Sequence, residues 1–241
     1  MKHIVTLFAA AALTTASSNA ADFFSTETPE QLFNLGIRLG VNTSNRTVGS
    51  ENMPGYNVQG WGTGFDLGVV ADINIRDYLS IQPGAFFESR SNTYTFINMV
   101  PVYGASTDEL MTQAGTFNSY ALTIPVLGSV RFNITDDIRW NIDFGPYVSL
   151  MFGSKLKNKV NHNSFDNDGV PAAGDEFKQK VAPVDFGLKF GTGLQILDHY
   201  YIGAHYMAGA AGAWKDIKAD GIKYTFGGRT KAWVFTLGYN F

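Results

Sequence analysis

The chain has no cysteine, few charged residues and no long apolar run, and each absence excludes a class of protein. Without cysteine there is no disulfide framework and no thiol for lipid attachment behind a signal peptide. Charged residues are only 16% of the 241 residues, too few to cover the exterior of a soluble β-barrel. No segment approaches the ~20 apolar residues of a transmembrane helix, which excludes a helical inner-membrane protein. The net charge of −3 argues against a nucleic-acid partner.

The N-terminus has the pattern of a secretory signal peptide. Lys2 and His3 precede an apolar run over residues 4–13, and small residues follow, ending at Ala20. We therefore predict a signal peptide over residues 1–20, cleaved after Ala20. Residues 21–31 are polar and are predicted to form a short periplasmic lead.

Aromatic residues and glycine are abundant, and they follow a period of two. At the C-terminus, large apolar residues occupy every second position: Trp233, Phe235, Leu237, Tyr239 and Phe241. A strand sends successive side chains to opposite faces, so this alternation predicts a strand with one large apolar face. The same alternation marks seven earlier segments, at residues 33–42, 65–73, 79–88, 120–132, 140–150, 184–195 and 200–208.

The opposite face of these segments carries charge and glycine, so the apolar face is expected to meet lipid. Predicted connections alternate between short turns, near 74–77, 133–137 and 197–199, and long loops, at 44–61, 91–117, 153–181 and 210–229. Short periplasmic turns and long external loops are typical of outer-membrane barrels. The fold prediction is all-β: an eight-stranded antiparallel up-and-down transmembrane β-barrel over residues 32–241.

Four short motifs carry a resemblance to a known family: residues 79–83, 120–125, 143–147 and 185–191, which read LSIQP, YALTIP, DFGPY and DFGLKFG. They resemble the PorT-like outer-membrane β-barrel family over about residues 30–241. The resemblance implies a barrel in the bacterial outer membrane and a role in a secretion or envelope assembly. The aromatic C-terminal strand also resembles the insertion signal of such barrels, which implies the barrel assembly machinery as a partner during insertion.

Charged residues on the opposite face are predicted to fill the lumen, because eight strands leave an interior only wide enough for side chains. This predicted polar network consists of Arg38, Asp66, Asp72, Glu88, Arg131, Asp143, Asp185, Lys189 and His205. Buried charges must be paired, so the network is expected to plug the barrel. Arg131 and Asp143 flank one turn on adjacent strands and are expected to pair.

The function predicted from these features is a non-enzymatic outer-membrane anchor or assembly component. The alternatives are a lipid-modifying enzyme and a narrow solute channel. The enzyme needs a nucleophile beside His205, yet Met207 stands two positions away on its face. We expect no catalytic residue, cofactor or metal site. The calcium-like spacing over residues 164–175 lacks the first carboxylate and is interpreted as a solvated turn.

Outer-membrane lipid and lipopolysaccharide are expected partners, together with a possible envelope protein. Five lysines fall in predicted external loops, where lipopolysaccharide phosphates lie: Lys155, Lys157, Lys159, Lys215 and Lys218. A solvated loop flank is the alternative interpretation of these charges.

Deleting Phe241, or the substitution Phe241→Asp, should impair insertion while leaving export intact, because it removes the terminal aromatic of the last strand. The measurement is the amount of heat-modifiable barrel in outer-membrane fractions. Unchanged amounts would contradict the prediction.

Overall fold

The computed structural model describes residues 23–47, 56–100, 109–159, 181–213, 217–219, 222–224 and 228–241. The predicted signal peptide and the calcium-like segment lie outside these residues. The strands are β1 (Phe33–Arg46), β2 (Tyr56–Arg76), β3 (Leu79–Val100), β4 (Glu109–Thr135), β5 (Ile138–Lys159), β6 (Val184–Ile196), β7 (Tyr200–Gly209), β8 (Ile217–Ala219), β9 (Ile222–Tyr224) and β10 (Thr230–Asn240).

Eight of these strands form one closed antiparallel barrel, in the order β1-β10-β7-β6-β5-β4-β3-β2. Closure occurs between the first and last strands, where Leu39 pairs with Leu237. Strands β8 and β9 form a separate two-stranded hairpin. The predicted fold class is confirmed. None of the described residues forms a helix long and apolar enough to cross a bilayer.

The two faces of the barrel wall have opposite chemistry. Large apolar side chains such as Leu67, Val69 and Phe144 are more than half exposed on the outside. The inward face alternates with them and buries arginine, aspartate, glutamate and lysine. A soluble protein would not leave such a wide apolar surface in contact with water. The outer surface therefore fits a lipid bilayer.

Aromatic rings mark both ends of this apolar surface. Near the long connections, a row of rings crosses four strands, with centroids 6.1 Å apart for Phe65–Phe87, 5.7 Å for Phe87–Tyr120 and 6.4 Å for Tyr120–Phe152. Near the short turns, Trp140 packs on Phe132 at 5.5 Å. Trp140 and Phe152 lie on the same tilted strand, β5. Measured along the membrane normal, their separation is about 30 Å, which matches the hydrocarbon thickness of ~30 Å.

Three of the four predicted long loops have wrong boundaries, because four strands continue beyond the outer aromatic row, whereas the predicted loop 210–229 lies between the end of β7 and the start of β10. Strands β2, β3, β4 and β5 have 21, 22, 27 and 22 residues, whereas β1, β6, β7 and β10 have 14, 13, 10 and 11. Residues 91–93 and 116–119 are mostly polar on both faces, so the apolar alternation ends there although strand pairing continues. Three of the predicted loop lysines, at positions 155, 157 and 159, therefore belong to β5, and Lys218 belongs to β8.

The turn between β6 and β7 holds Leu197 in a geometry that leucine does not favour. Leu197 and Asp198 have φ values of 52° and 58°, and the His199 amide donates to the Ile196 carbonyl at 3.2 Å. Two consecutive left-handed residues define a type I′ turn, which prefers Asn-Gly. Non-glycine residues in this region cost stability.

Replacing Leu197-Asp198 with Asn-Gly should raise the free energy of unfolding by about 1 kcal/mol, because the strain is relieved. The measurement is urea unfolding of the barrel in liposomes. Asp136-Asp137, in the β4–β5 turn, has no left-handed residue and serves as the matched control site. An equal gain there, or no gain at 197–198, would contradict the prediction.

Candidate functional site

The lumen is the candidate site, because it concentrates the ionisable side chains. All nine residues of the predicted polar network are buried there. Two further arginines, Arg46 and Arg90, are also buried, each with 1% of its surface exposed. The buried cations among the described residues are Arg38, Arg46, Arg90, Arg131 and Lys189, and the buried anions are Asp66, Asp72, Glu88, Asp143 and Asp185. The two sets balance when His205 is neutral.

Arg90 occupies the centre of the outer half of the lumen. Its Nε donates to Glu88 Oε2 at 2.7 Å, and its Nη1 donates to Asp185 Oδ2 at 3.2 Å. Its Nη2 donates to the hydroxyls of Thr123 and Ser149, at 3.1 and 3.0 Å. These five residues form what we call the Arg90 cluster. They come from β3, β4, β5 and β6, so one guanidinium connects four strands.

Arg131 lies nearer the short turns and forms a second group. Its Nη2 is 3.1 Å from Asp72 Oδ1, and its Nη1 donates to Asn74 Oδ1 at 2.6 Å. Asp72 also accepts from Gln82 Nε2 at 2.7 Å. We call Asp72, Asn74, Gln82 and Arg131 the Arg131 cluster.

The predicted pairing of Arg131 with Asp143 is therefore wrong. In the β4–β5 register, Arg131 pairs with Asn141, and Asp143 pairs with Ser129. The Ser129 hydroxyl donates to Asp143 Oδ1 at 2.6 Å. Similar height on adjacent strands did not decide the partner, because the arginine side chain is long enough to reach β2.

Asp143 forms the third group. Its Oδ2 accepts from the Tyr201 hydroxyl at 3.1 Å and lies 2.9 Å from His205 Nε2. We call Ser129, Asp143, Tyr201 and His205 the Asp143 cluster. The carboxylate is the hub of this cluster and uses both oxygens. His205 is thus a buried residue satisfied through Nε2 by a carboxylate.

Glycines make room for the large rings of the lumen. A Cβ atom on either Gly193 or Gly203 would lie 2.5 Å from the Tyr201 hydroxyl oxygen. The Arg38 guanidinium carbon lies 4.4 Å from the centre of the Tyr201 ring, a cation–π contact. Tyr201 therefore fills the lumen between glycine-lined strands and connects Arg38 to the Asp143 cluster.

A small cavity lies between these clusters. It has a volume of about 20 Å³ and is lined by Arg38, Gln82, Lys189 and His205 together with Tyr201, Thr236 and apolar side chains. That volume is about enough for a single water molecule. On the β3 side, the Lys189 ammonium lies 4.8 Å from the centre of the Phe86 ring. Side chains rather than solvent occupy this part of the barrel.

The clusters do not form a familiar catalytic or metal site. In the described part of the chain, no three His, Asp or Glu side chains are grouped to hold a metal ion. Activation of a serine nucleophile needs a histidine between the hydroxyl and the carboxylate. Here the carboxylate of Asp143 stands between Ser129 and His205. The order of the groups does not suit nucleophilic catalysis.

The predicted insertion-signal residues all lie on the outward face of β10 or directly after it. Trp233, Phe235, Leu237, Tyr239 and Phe241 are exposed. The Phe241 ring packs edge-on against Tyr239 with centroids 5.4 Å apart. The Phe241 amide donates to the Leu35 carbonyl at 2.8 Å, which attaches the end of the chain to β1.

The family model for the outer membrane protein β-barrel domain matches residues 18–209. No curated protein matches the chain significantly. The outer membrane protein OprG from Pseudomonas aeruginosa is similar in structure, with 11% identity and a TM-score of 0.50 over 90% of this chain and 98% of OprG. At that identity the likeness concerns the fold alone.

Two further solved barrels are similar at lower scores. Ail of Yersinia pestis, in complex with a heparin analogue, has 15% identity and a TM-score of 0.36 over 88% of this chain and 100% of Ail. The outer membrane enzyme PagL has 12% identity and a TM-score of 0.38 over 83% of this chain and 97% of PagL.

Arg131→Met should cost about 3–5 kcal/mol of unfolding free energy, because it leaves the Asp72 carboxylate buried without its cation. Adding Asp72→Asn should recover much of that loss, with a coupling energy above ~1 kcal/mol. The measurement is a double-mutant cycle from urea unfolding in liposomes. The matched cycle with Asp143→Asn should show coupling below ~0.5 kcal/mol. Stronger coupling to Asp143 would contradict the contacts described above.

Proposed function

The chain belongs to the outer membrane protein β-barrel domain family, and we propose that this member of the family is a non-conducting, non-enzymatic membrane anchor. The protein resides in the outer membrane, as the family match and the barrel indicate. In this proposal the barrel holds an extracellular sheet in position for contact with a partner.

The observation that carries the proposal is the filling of the lumen by the Arg90 cluster. One buried guanidinium contacts both Glu88 and Asp185, which lie on strands β3 and β6. A solute path would have to separate these charges, and each ion left buried without its partner costs several kcal/mol. This arrangement favours a barrel whose bore stays closed.

The unequal strand lengths support a presenting role. Beyond the aromatic row, β2, β3, β4 and β5 continue as a paired antiparallel sheet, up to Tyr56↔Ile97, Val100↔Glu109 and Ala114↔Lys159. We call the part beyond the end of β1 pairing, residues 56–61, 92–100, 109–117 and 156–159, the β2–β5 extension. Pairing of β1 with β2 ends at Ser44↔Gly62, and pairing of β5 with β6 ends at Leu150↔Val184. The β2–β5 extension thus projects from one side of the barrel, at the end opposite the short turns.

An enzymatic function has less support from the geometry. A hydrolase needs a nucleophile and a base that meet at a site open to substrate. His205 has 4% of its surface exposed and faces a carboxylate inside the lumen. Nothing in the Asp143 cluster favours chemistry on a membrane lipid.

The resemblance of the strand motifs to the PorT-like family suggests a more specific role. An anchor with a projecting sheet is suited to a secretion or envelope assembly, where a partner protein would dock on the β2–β5 extension. Among the described strands, pairing of β2 with β1 stops at Gly62 and pairing of β5 with β6 stops at Leu150, and the strand edges beyond these points would offer backbone groups for such docking.

The purified protein in planar bilayers should give no stable conductance steps. The physical reason is that buried charges paired across the lumen would have to separate to open a path. A porin inserted under the same conditions serves as the positive control, and heat-modifiability verifies that the protein is folded. A steady, reproducible conductance from the folded protein would contradict the proposal and favour the channel alternative.

A further inference from the structure

We propose that the lumen contains a binding site for one halide ion, of which chloride is the common natural form, between Lys189 of β6 and Arg38 of β1. The site is the small cavity described above, with a volume of about 20 Å³. This inference goes beyond the proposed function, since an anchor, a channel or an enzyme could each hold such an ion.

The first argument is the ammonium group of Lys189, which is buried without an ion pair. Lys189 has 3% of its surface exposed and lines the cavity. Among the described residues, no carboxylate lies within salt-bridge distance of its nitrogen, which also donates no hydrogen bond to them. The Phe86 ring, with its centre 4.8 Å away, replaces only part of the hydration that the ammonium loses on burial. A buried cation of this kind needs an anion in contact with it.

The second argument is Arg38, which lines the same cavity and is also buried. Its Nη1 donates to the backbone carbonyls of Ile37 and Tyr239, at 3.1 and 3.5 Å. Its Nη2 is buried and has no hydrogen-bond partner. The side chain is held in place, because it lies against Gly238 on one side and the Tyr201 ring on the other. Arg38 therefore keeps one unsatisfied donor at the cavity.

The third argument is that the buried carboxylates are engaged elsewhere. Those of the Arg90 and Arg131 clusters already contact a guanidinium. Asp143 accepts from three side chains of its own cluster. Asp66 accepts from the Asn42 amide at 2.6 Å. Among the described residues, no acidic side chain lines the cavity. Two cations therefore face it without a contacting anion, although the total charges of the lumen balance.

The size of the cavity selects the kind of anion. Its volume is about that of a single water molecule. A halide is one atom, whereas phosphate and carboxylate groups need space for several heavy atoms. One halide ion can accept hydrogen bonds from Lys189 Nζ and Arg38 Nη2 together, and hydrogen bonds between ionised groups are the strong ones.

Two other arrangements would satisfy part of the same geometry. A water molecule fits the volume but leaves both cations without a counter-charge. A different rotamer of Lys189 would direct its ammonium towards Asp66, one of the carboxylates that act on it electrostatically. Neither arrangement makes the folded barrel depend on halide.

The first experiment measures urea unfolding of the full-length barrel in liposomes at constant ionic strength. Chloride replaces gluconate, which is too large for the cavity. Raising chloride from about 10 mM to about 500 mM should favour the folded state about 5-fold, as expected for a ligand that binds only the folded protein with a Kd of ~100 mM. K189M and R38M should each lose this response, because each removes one of the two cations. K231M removes an exposed lysine of β10 and should keep it, which controls for general effects of salt.

The second experiment locates the ion. The cavity is enclosed by side chains, so the wild-type protein is refolded and crystallised in sodium bromide. The anomalous scattering of bromine should give one peak in the lumen, in contact with Lys189 Nζ and Arg38 Nη2. This measurement uses the wild type, so the proposal stays testable if a variant fails to fold.

Equal stability of the wild type in chloride and gluconate would overturn the proposal, and so would an unchanged chloride response in K189M. Crystals that show only water in the cavity, or Lys189 paired with Asp66 and no bromine peak, would overturn it as well. None of these outcomes bears on the closed lumen, which the bilayer recordings test separately.

Discussion

A single buried guanidinium sets the main constraint on this barrel. Arg90 is 1% exposed and is held between Glu88 and Asp185, with two hydroxyls satisfying its remaining nitrogen. A buried cation is tolerated only when it is paired and hydrogen-bonded, so four strands must stay in register around it. The contact also limits the bore, because the charges meet across the lumen.

The other features follow from the same division between a polar inside and an apolar outside. The Arg131 and Asp143 clusters repeat the pairing nearer the periplasmic end, and equal numbers of buried cations and anions keep the lumen balanced. Outside, lipid covers the apolar face between two sets of aromatic rings. Above the outer set of rings, the pairing of β2, β3, β4 and β5 continues. In our proposal the same strands anchor the protein in the membrane and present a surface to a partner.

The sequence predicted the fold well, because lipid imposes a simple alternation wherever a strand crosses the membrane. Every inward charge that lay within an alternating segment was identified. Arg46 and Arg90 were missed, since they lie where apolar residues stop marking the outer face. Arg46 falls in the predicted loop 44–61, and Arg90 falls between the end of the third alternating segment, at residue 88, and the predicted loop 91–117. Arg90 shares the parity of Glu88, a signal that could have extended β3. The partner of Arg131 could not be predicted, because a long side chain selects its carboxylate across the lumen rather than along the strand pair.

Closure of the lumen by the Arg90 cluster can be tested with a single reporter thiol, because the chain contains no cysteine. Ser149 is completely buried beside Arg90, so Ser149→Cys gives one reporter thiol inside the bore. The measurement is the rate of its reaction with a membrane-impermeant thiol reagent in the folded, reconstituted barrel. We predict almost no reaction until the protein is unfolded, and a clear reaction when Arg90→Ala is added. Rapid labelling of the folded S149C protein with Arg90 intact would show that the lumen is open.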